Sequence, residues 1–370
     1  MSARFLTVVL ERAFNMRDGF GREIDYMRIS VIDSCNLNCY YCNPCDNNEH
    51  CHALNILSVK EVLCIVRAAT RLGIKHFRLT GGEPLLHPQL DEMVLQIKKI
   101  PGVSSVSLTT NAVLLAQHAK WLKEAGIDSI NVSLDTIDAS EYERITKKPL
   151  LEEVKHGINA AIECGIRVKI NVVLTPQTDV VALTRYVAKK GTDIRFIEMM
   201  PVGEGHTNGV EPYKKVIGTL SKLYGEPCRI NTEKTKEINS GNDKRKIPDN
   251  GPAEYYIFPE LGIRVGLIQA IHGKFCDTCN RIRVTADGRL IPCLGSSVTM
   301  DLVPDSWDFA DDVEKDFAIV RALRAAIKAK PRCHNFNDNA VTYTKTTETK
   351  TTEIEAAEVN AARNMSRIGG

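Results

Sequence analysis

Residues 27–42 read Met-Arg-Ile-Ser-Val-Ile-Asp-Ser-Cys-Asn-Leu-Asn-Cys-Tyr-Tyr-Cys. The first six residues form an apolar, β-branched run that is typical of a buried strand. The run leads directly to Cys35, Cys39 and Cys42, whose spacing is C-x3-C-x2-C. A four-iron cluster filled by protein alone takes four thiolates. Three thiols on one loop therefore suit an iron–sulfur cluster that keeps one iron open.

Two other interpretations of these cysteines remain open on spacing alone. The three thiols are structural cysteines, or they form a zinc knuckle with a fourth ligand from nearby. The candidates for that fourth ligand follow at once in the sequence: Cys45, His50, Cys51 and His52.

A second motif, Leu79-Thr80-Gly81-Gly82-Glu83-Pro84, follows the next predicted strand. Two glycines let the backbone approach a ligand closely, and Glu83 offers an acceptor to an ammonium group. A plain strand-to-helix turn would use the same residue types. The two motifs in this order are more specific than either motif alone.

Composition narrows the class of protein. The chain has 370 residues, 43% of them apolar and 25% charged, and a net charge of +2. The near balance of charges argues against a protein that coats nucleic acid by bulk charge. No apolar run is long enough to span a membrane, and residues 5–10 are too short for a signal peptide. Twelve cysteines, most of them clustered, indicate metal binding in a reducing compartment. We therefore expect a cytoplasmic protein.

Strand and helix patterns alternate from Arg28 onward. The six predicted strands are 28–32, 76–80, 104–109, 129–134, 167–174 and 193–198. The amphipathic segments between them are 58–72, 89–100, 114–125, 151–164 and 180–190. Such βα units imply parallel strands with right-handed crossovers. Six units are too few for a closed eight-stranded barrel, so an open, partial (β/α)6 TIM-like barrel is predicted.

The pattern changes beyond Pro201. We predict a barrel core over residues 1–201, an irregular C-terminal lobe over 202–340, and a flexible tail over 341–370. The tail ends in Gly369 and Gly370. Glycines there permit threading into a tight site, and a frayed end is the other interpretation.

The C-terminal lobe carries a second thiol triad, Cys276, Cys279 and Cys293, with the spacing C-x2-C-x13-C. A zinc ribbon would need another C-x2-C pair, which the lobe lacks. Arg281 and Arg283 alternate in a β-like run after Cys279, so both face the same side, next to the triad. Two incomplete triads indicate two clusters, each with an iron free for a small molecule.

At this point the chain resembles the MoaA family, the radical S-adenosylmethionine (SAM) enzymes that act as GTP 3′,8-cyclases in molybdenum cofactor biosynthesis. Beyond the motifs above, the resemblance rests on Thr-Thr-Asn, Asn-Val-Ser-Leu-Asp, Val-Lys-Ile-Asn-Val-Val, Arg-Phe-Ile-Glu-Met-Met and the terminal Gly-Gly. It implies two 4Fe-4S clusters, SAM on the first and the guanine of GTP on the second. It also implies a 5′-deoxyadenosyl radical that takes hydrogen from the ribose 3′ carbon, so that this carbon joins carbon 8 of guanine.

The resemblance assigns the site residue by residue. It implies cluster ligands Cys35, Cys39, Cys42, Cys276, Cys279 and Cys293. It implies a SAM site lined by Tyr41, Gly82, Ser133 and Met200, and a GTP site lined by Arg28, Arg78, Thr109, Lys169, Arg281 and Arg283. The chain has no G-x4-G-K-[ST] loop, so arginine and lysine side chains must hold the triphosphate.

The resemblance also implies partners: GTP, an external one-electron donor and a downstream cyclic pyranopterin synthase, with homodimer formation left open. A radical-SAM peptide-modifying enzyme and a non-catalytic iron–sulfur or zinc module are the alternatives. The chain departs from the family pattern at Ser34, where arginine is usual, and at Cys45, which forms an extra C-x2-C with Cys42.

Overall fold

The computed structural model describes residues 16–42, 55–202, 210–230, 251–296, 298–302, 312–334 and 336, and the backbone of 344–347 and 350–353. Cys45, the segment 50–52 and the terminal Gly-Gly lie outside the described residues.

All six strands predicted for the barrel are confirmed, in predicted order. They are β1 (Tyr26–Ser30), β2 (His76–Thr80), β3 (Ser105–Thr110), β4 (Ser129–Ser133), β5 (Val168–Leu174) and β6 (Asp193–Glu198). The C-terminal region adds β7 (Cys228–Ile230), β8 (Glu254–Ile257), β9 (Arg264–Ile268), β10 (Arg281–Val284), β11 (Arg289–Ile291) and β12 (Met300–Asp301).

These twelve strands form one sheet in the order β12-β11-β10-β1-β2-β3-β4-β5-β6-β9-β8-β7. Every pair from β10 through β1 to β6 and on to β9 is parallel. The open barrel is therefore confirmed, and the C-terminal region extends it by a parallel strand at each edge. This pairing satisfies the backbone groups that β1 and β6 would otherwise leave unpaired.

Helices cover the outside of the sheet. They are α1 (Val59–Arg71), α2 (Leu90–Lys98), α3 (Leu115–Glu124), α4 (Ala139–Thr146), α5 (Leu151–Glu163), α6 (Val180–Lys189), α7 (Gly218–Tyr224) and α8 (Asp312–Lys328). Helix α1 begins with a capping box, in which the Ser58 side chain accepts from the Glu61 amide and Glu61 accepts from the Ser58 amide. Helix α4 was not predicted, although Asp138 caps it at the Glu141 amide.

Strand alternation separates the core from the barrel interior. On β2, Phe77 and Leu79 are fully buried among apolar side chains of one core cluster, whereas Arg78 between them lines a cavity on the other face. The period of two that defines a strand thus supplies both an apolar outer layer and a polar interior.

Part of the predicted tail has regular backbone structure. The backbone of Thr344–Thr347 pairs antiparallel with Lys350–Glu353 as β13 and β14. Threonine is β-branched and favours extended backbone, which the polar composition of the segment concealed. Among the described residues, no helix has the length and apolar character needed to cross a membrane.

Candidate active site

A cavity of about 380 Å³ occupies the interior of the barrel. All the residues predicted for the two triads, the SAM site and the GTP site line it. The structure therefore brings together side chains that come from β1 to β5, from the loops that follow the strands, and from the C-terminal region.

The first triad lies on the loop after β1. The Sγ of Cys35 accepts from the Leu37 amide at 3.4 Å and from Asn111 Nδ2 at 3.7 Å. The unpredicted helix α4 holds the same loop, because the carbonyls of Thr146 and Ile145 accept from the amides of Asn38 and Tyr40. The last turn of a helix leaves its carbonyls free, and here they fix the cysteine loop.

The surroundings of the first triad disfavour thiolates in the absence of a cation. Burial, with the Glu83 carboxylate adding to it, raises the pKa of Cys35 to about 11. Burial also raises the pKa of Cys39, followed by the charges of Cys42 and Asp135. Positive iron would supply the missing charge, so this donor set fits an iron–sulfur cluster.

Gly81 and Gly82 pack directly against the start of the cysteine loop. A Cβ at Gly82 would lie 2.1 Å from the Ser34 carbonyl oxygen, and one at Gly81 would lie 2.3 Å from that of Ile32. The amides of Gly82 and Glu83 donate to these two carbonyls at 2.8 Å. Only glycine allows this approach. Because Ser34 contributes its carbonyl here, the departure from arginine at that position leaves this contact in place.

Glu83 has a different role from the one predicted. Instead of facing a ligand, it is 1% exposed and is absent from the cavity lining. Its oxygens accept from the Leu85 amide, the Thr110 hydroxyl and the Asn111 amide at 2.7 to 3.0 Å. Burial raises its pKa to about 7. Glu83 thus ties the glycine turn to the end of β3.

Tyr41 is held at the cavity wall by Asp135. Its hydroxyl donates to Asp135 Oδ2 at 2.5 Å, and Asp135 Oδ1 accepts from the Val173 amide at 2.7 Å. Burial raises the pKa of Asp135 to about 6 and that of Tyr41 well above its usual value. The tyrosine ring therefore has a fixed position near the first triad.

The second triad reaches the cavity through β10. Cys276 and Cys279 lie on a short turn in which the Cys279 amide donates to the Cys276 carbonyl at 3.1 Å. Burial would raise the pKa of Cys279, but the positive charges of Lys330 and Arg281, with Arg283, lower it.

Strand register places arginines side by side across the cavity floor. Arg283 on β10 lies opposite Arg28 on β1, and Arg28 lies opposite Arg78 on β2. Burial lowers the pKa of Arg28 well below its usual value, and repulsion from Arg283 and Arg78 adds to this effect. A buried row of like charges is costly unless an anion compensates it. Such a row of buried guanidinium groups is typical of an anion-binding surface.

Several cavity residues were not predicted as site residues, among them Tyr26, Asn131, Arg195 and Lys330. Tyr26 accepts from Arg78 Nε at 2.5 Å, and Arg195 Nε donates to Asn171 Oδ1 at 2.9 Å. Within the described residues, Asn131 Oδ1 and Arg195 Nη2 are buried without a hydrogen-bond partner. A signal for Asn131 and Arg195 was present in the sequence, because each alternates with apolar neighbours in its strand.

The candidates for a fourth zinc ligand, Cys45, His50, Cys51 and His52, lie outside the described residues. Among the described residues, no three Cys, His, Asp or Glu side chains are grouped as a site for a single ion. Each triad lines a wall of the cavity.

Comparisons with known proteins agree with this geometry. Residues 29–182 match the Radical SAM superfamily, and residues 192–336 match Molybdenum Cofactor Synthesis C. A GTP 3′,8-cyclase from Clostridium perfringens (strain SM101 / Type A) is 35% identical over 324 residues, which are 87% of this chain and 95% of the relative. The GTP 3′,8-cyclase of Pelotomaculum thermopropionicum is 36% identical over 86% of this chain and 95% of the relative.

Solved structures share the fold at low identity. Streptococcus suis SuiB bound to S-adenosylmethionine aligns with a TM-score of 0.50 and 16% identity, over 80% of this chain and 68% of SuiB. A hexahistidine-tagged anSMEcpe with bound AdoMet aligns with a TM-score of 0.50 and 16% identity, over 82% of this chain and 83% of that protein.

Proposed function

Because the chain belongs to the GTP 3′,8-cyclase family of radical SAM enzymes, we propose that it cyclises GTP to (8S)-3′,8-cyclo-7,8-dihydroguanosine 5′-triphosphate, the first step of molybdenum cofactor biosynthesis. One observation carries the proposal: a single cavity is lined by a thiol triad beside the glycine turn, a second triad, and a row of arginines.

Cys35, Cys39 and Cys42 would hold the first iron–sulfur cluster. Gly82, Tyr41, Ser133 and Met200 would line the SAM site next to it. When bound, the reduced cluster and SAM supply a 5′-deoxyadenosyl radical. The chain's own residues keep the geometry: the glycine turn packs on the cysteine loop, and Asp135 holds the Tyr41 ring.

The second triad would hold a second four-iron cluster at the substrate end. Its support is the set of three thiols on the cavity wall and the cations that lower the pKa of Cys279. A base bound by the open iron there and phosphates on the arginine row would place GTP along the cavity.

The cation row would bind the triphosphate. Guanidinium groups pair with phosphate oxygens through two parallel N–H bonds, and the phosphate charge would relieve the repulsion among Arg28, Arg78 and Arg283. Lys169 is 5% exposed, and its Nζ lies 5.9 Å from the centre of the Tyr255 ring. With Thr109 and Arg281 it would complete the site. Enclosure in the barrel would shield a carbon radical from water.

The proposal extends to partners. Radical formation needs an external one-electron donor, and the cyclised nucleotide is a substrate for a separate cyclic pyranopterin synthase. A reducing, cytoplasmic compartment suits six cluster thiols.

The deciding experiment is SAM cleavage under dithionite in anaerobically reconstituted protein, with and without GTP. We expect 5′-deoxyadenosine in both reactions and the cyclised nucleotide only with GTP. Absence of SAM cleavage would leave a non-catalytic iron–sulfur or zinc module. Cleavage with no nucleotide product would favour a peptide-modifying enzyme.

A further inference from the structure

Lys330 links the chain segments next to two cysteines of the second triad, Cys279 and Cys293. It follows α8, is 3% exposed and lines the cavity. Its Nζ donates to the carbonyl of Arg281 and to that of Pro292, both at 2.8 Å. Arg281 lies two residues after Cys279, and Pro292 directly precedes Cys293. One ammonium group therefore bridges the segment that follows Cys279 and the segment that precedes Cys293.

Arg22 links the third cysteine of the triad, Cys276, to the residues that follow Lys330. Its guanidinium donates to the carbonyls of Cys276, Pro331 and Arg332 at 2.6 to 2.9 Å. The charge of Arg22 is compensated, because its Nε pairs with Asp18 Oδ2 at 2.6 Å and the Asp18 side chain is 0% exposed. Arg22 is thus half of a neutral pair with a structural role.

Lys330 differs because its charge has no such compensation. Among the residues that the structure describes, no carboxylate lies within ion-pair distance of its Nζ. Burial lowers the pKa of Lys330, and the thiolates of Cys279 and Cys293 are the groups whose charge opposes this and favours the ammonium. A buried cation without a carboxylate is stable only if other negative charge reaches it, and the thiolates of a loaded triad supply that charge.

We propose that Lys330 is a positioning residue for the second cluster, which holds the Cys279 and Cys293 segments at cluster spacing and favours the cluster's reduced state through its charge. The inference rests on the proposed function, because it requires a cluster on the second triad. An added electron beside a fixed positive charge in a low-dielectric interior is stabilised. Removal of the charge therefore makes the cluster harder to reduce.

The experiment uses the full chain with Cys35, Cys39 and Cys42 changed to Ala, so that any remaining cluster signal belongs to the second triad. Lys330→Gln removes the charge and keeps an amide donor, and Lys330→Arg keeps the charge. Lys328→Gln is the matched control, because Lys328 is exposed at the end of α8. Iron content and the midpoint potential, followed by electron paramagnetic resonance during dithionite titration, are measured for each.

We expect a more negative midpoint potential in Lys330→Gln, and parental potentials in Lys330→Arg and Lys328→Gln. Iron loss in Lys330→Gln that Lys330→Arg restores also supports the inference. A parental potential in Lys330→Gln, or equal iron loss in both Lys330 variants, overturns it. If the parental triple variant binds no iron, the second cluster of the proposed function fails instead, and Lys330 loses its proposed role with it.

Discussion

The two thiol triads share one cavity but differ in the charged side chains beside them. At the first triad, burial and nearby carboxylates raise the pKa values of Cys35 and Cys39. At the second triad, burial raises the pKa of Cys276, whereas the charges of Lys330, Arg281 and Arg283 outweigh burial and lower the pKa of Cys279. Carboxyl groups near the first triad favour a cationic ligand such as a sulfonium, and the cations near Cys279 favour a phosphate-bearing one. We therefore expect ligand groups of opposite charge at the two ends of the cavity.

The largest effect is expected from removing one triad at a time. Changing Cys35, Cys39 and Cys42 to Ala should abolish SAM cleavage, because the radical then has no source. The same change at Cys276, Cys279 and Cys293 should leave SAM cleavage and abolish GTP cyclisation. Each variant should lose about four irons. Product analysis and iron determination are the measurements.

Cys228→Ala serves as the control for both triads, since Cys228 is exposed on β7 and absent from the cavity lining. An unchanged iron content after loss of the second triad would remove the second cluster from the comparison.

The next effect concerns the arginine row. Arg283→Ala should weaken GTP binding by roughly 1.5 to 3 kcal/mol, as for hydrogen bonds to charged groups, or about ten- to a hundredfold. SAM cleavage without GTP should persist. Arg229→Ala is the control. Arg229 lies on the edge strand β7 and forms an exposed ion pair with Glu254, and such pairs contribute little to stability. Calorimetric titration with equal GTP affinity in Arg283→Ala and wild type would contradict the assignment.

A smaller effect comes from Glu83, which ties the glycine turn beside the first triad to the end of β3. Burial raises the pKa of Glu83 from 4.5 to about 7, so the folded protein holds this proton when the unfolded chain has lost it. The Glu83 contribution to stability is thus fully present below about pH 4.5 and is lost as pH rises to about 7. The loss amounts to roughly 3 kcal/mol. Glu83→Gln should remove this slope.

Anaerobic urea unfolding of both proteins at several pH values between about 4.5 and 8 measures the slope. As pH rises, the unfolding free energy of the wild type should fall relative to that of Glu83→Gln. A difference that is constant with pH would mean that Glu83 is ionised in the folded protein throughout.

The smallest expected effects come from two asparagine side chains, each of which donates a hydrogen bond near one of the triads. Asn111→Ala removes the hydrogen bond to Asn36 Oδ1 at 2.7 Å and the contact with Cys35 Sγ, at a cost of about 1 kcal/mol. We expect faster iron loss from the first triad during chelator challenge.

Asn280→Ala is the matched variant near the second triad, where Asn280 Nδ2 donates to Asp25 Oδ1 at 2.7 Å. It should affect only the second triad. If each variant releases iron from both triads at the same rate, the two triads do not depend on separate supporting residues, which would contradict this prediction.

Sequence reasoning predicted much of the barrel because its signals are local. The period of two in the strands and the capping box of Ser58 are readable within a few residues. Sequence reasoning could not predict the parallel pairing of β10 with β1, because Tyr26 and Arg281 are far apart in the chain and no local pattern encodes that register.

The site shows the same limit. Residue types predicted which side chains line the cavity, since thiols, glycines and cations carry recognisable chemistry. They could not predict that the Glu83 side chain bonds to Thr110 and does not line the cavity, because the direction of a side chain depends on packing between strands. Lys330 was missed for a related reason: its two carbonyl partners come from separate strands.

The closure of the sheet by C-terminal strands has a consequence for synthesis of the protein on the ribosome. Strands β1 and β6 emerge long before β10 and β9, which pair with their outer edges. Until those strands are made, the nascent chain carries two unpaired parallel edges that invite pairing with other chains. The first thiol triad is complete early in synthesis, whereas the second is complete only once residue 293 has been made.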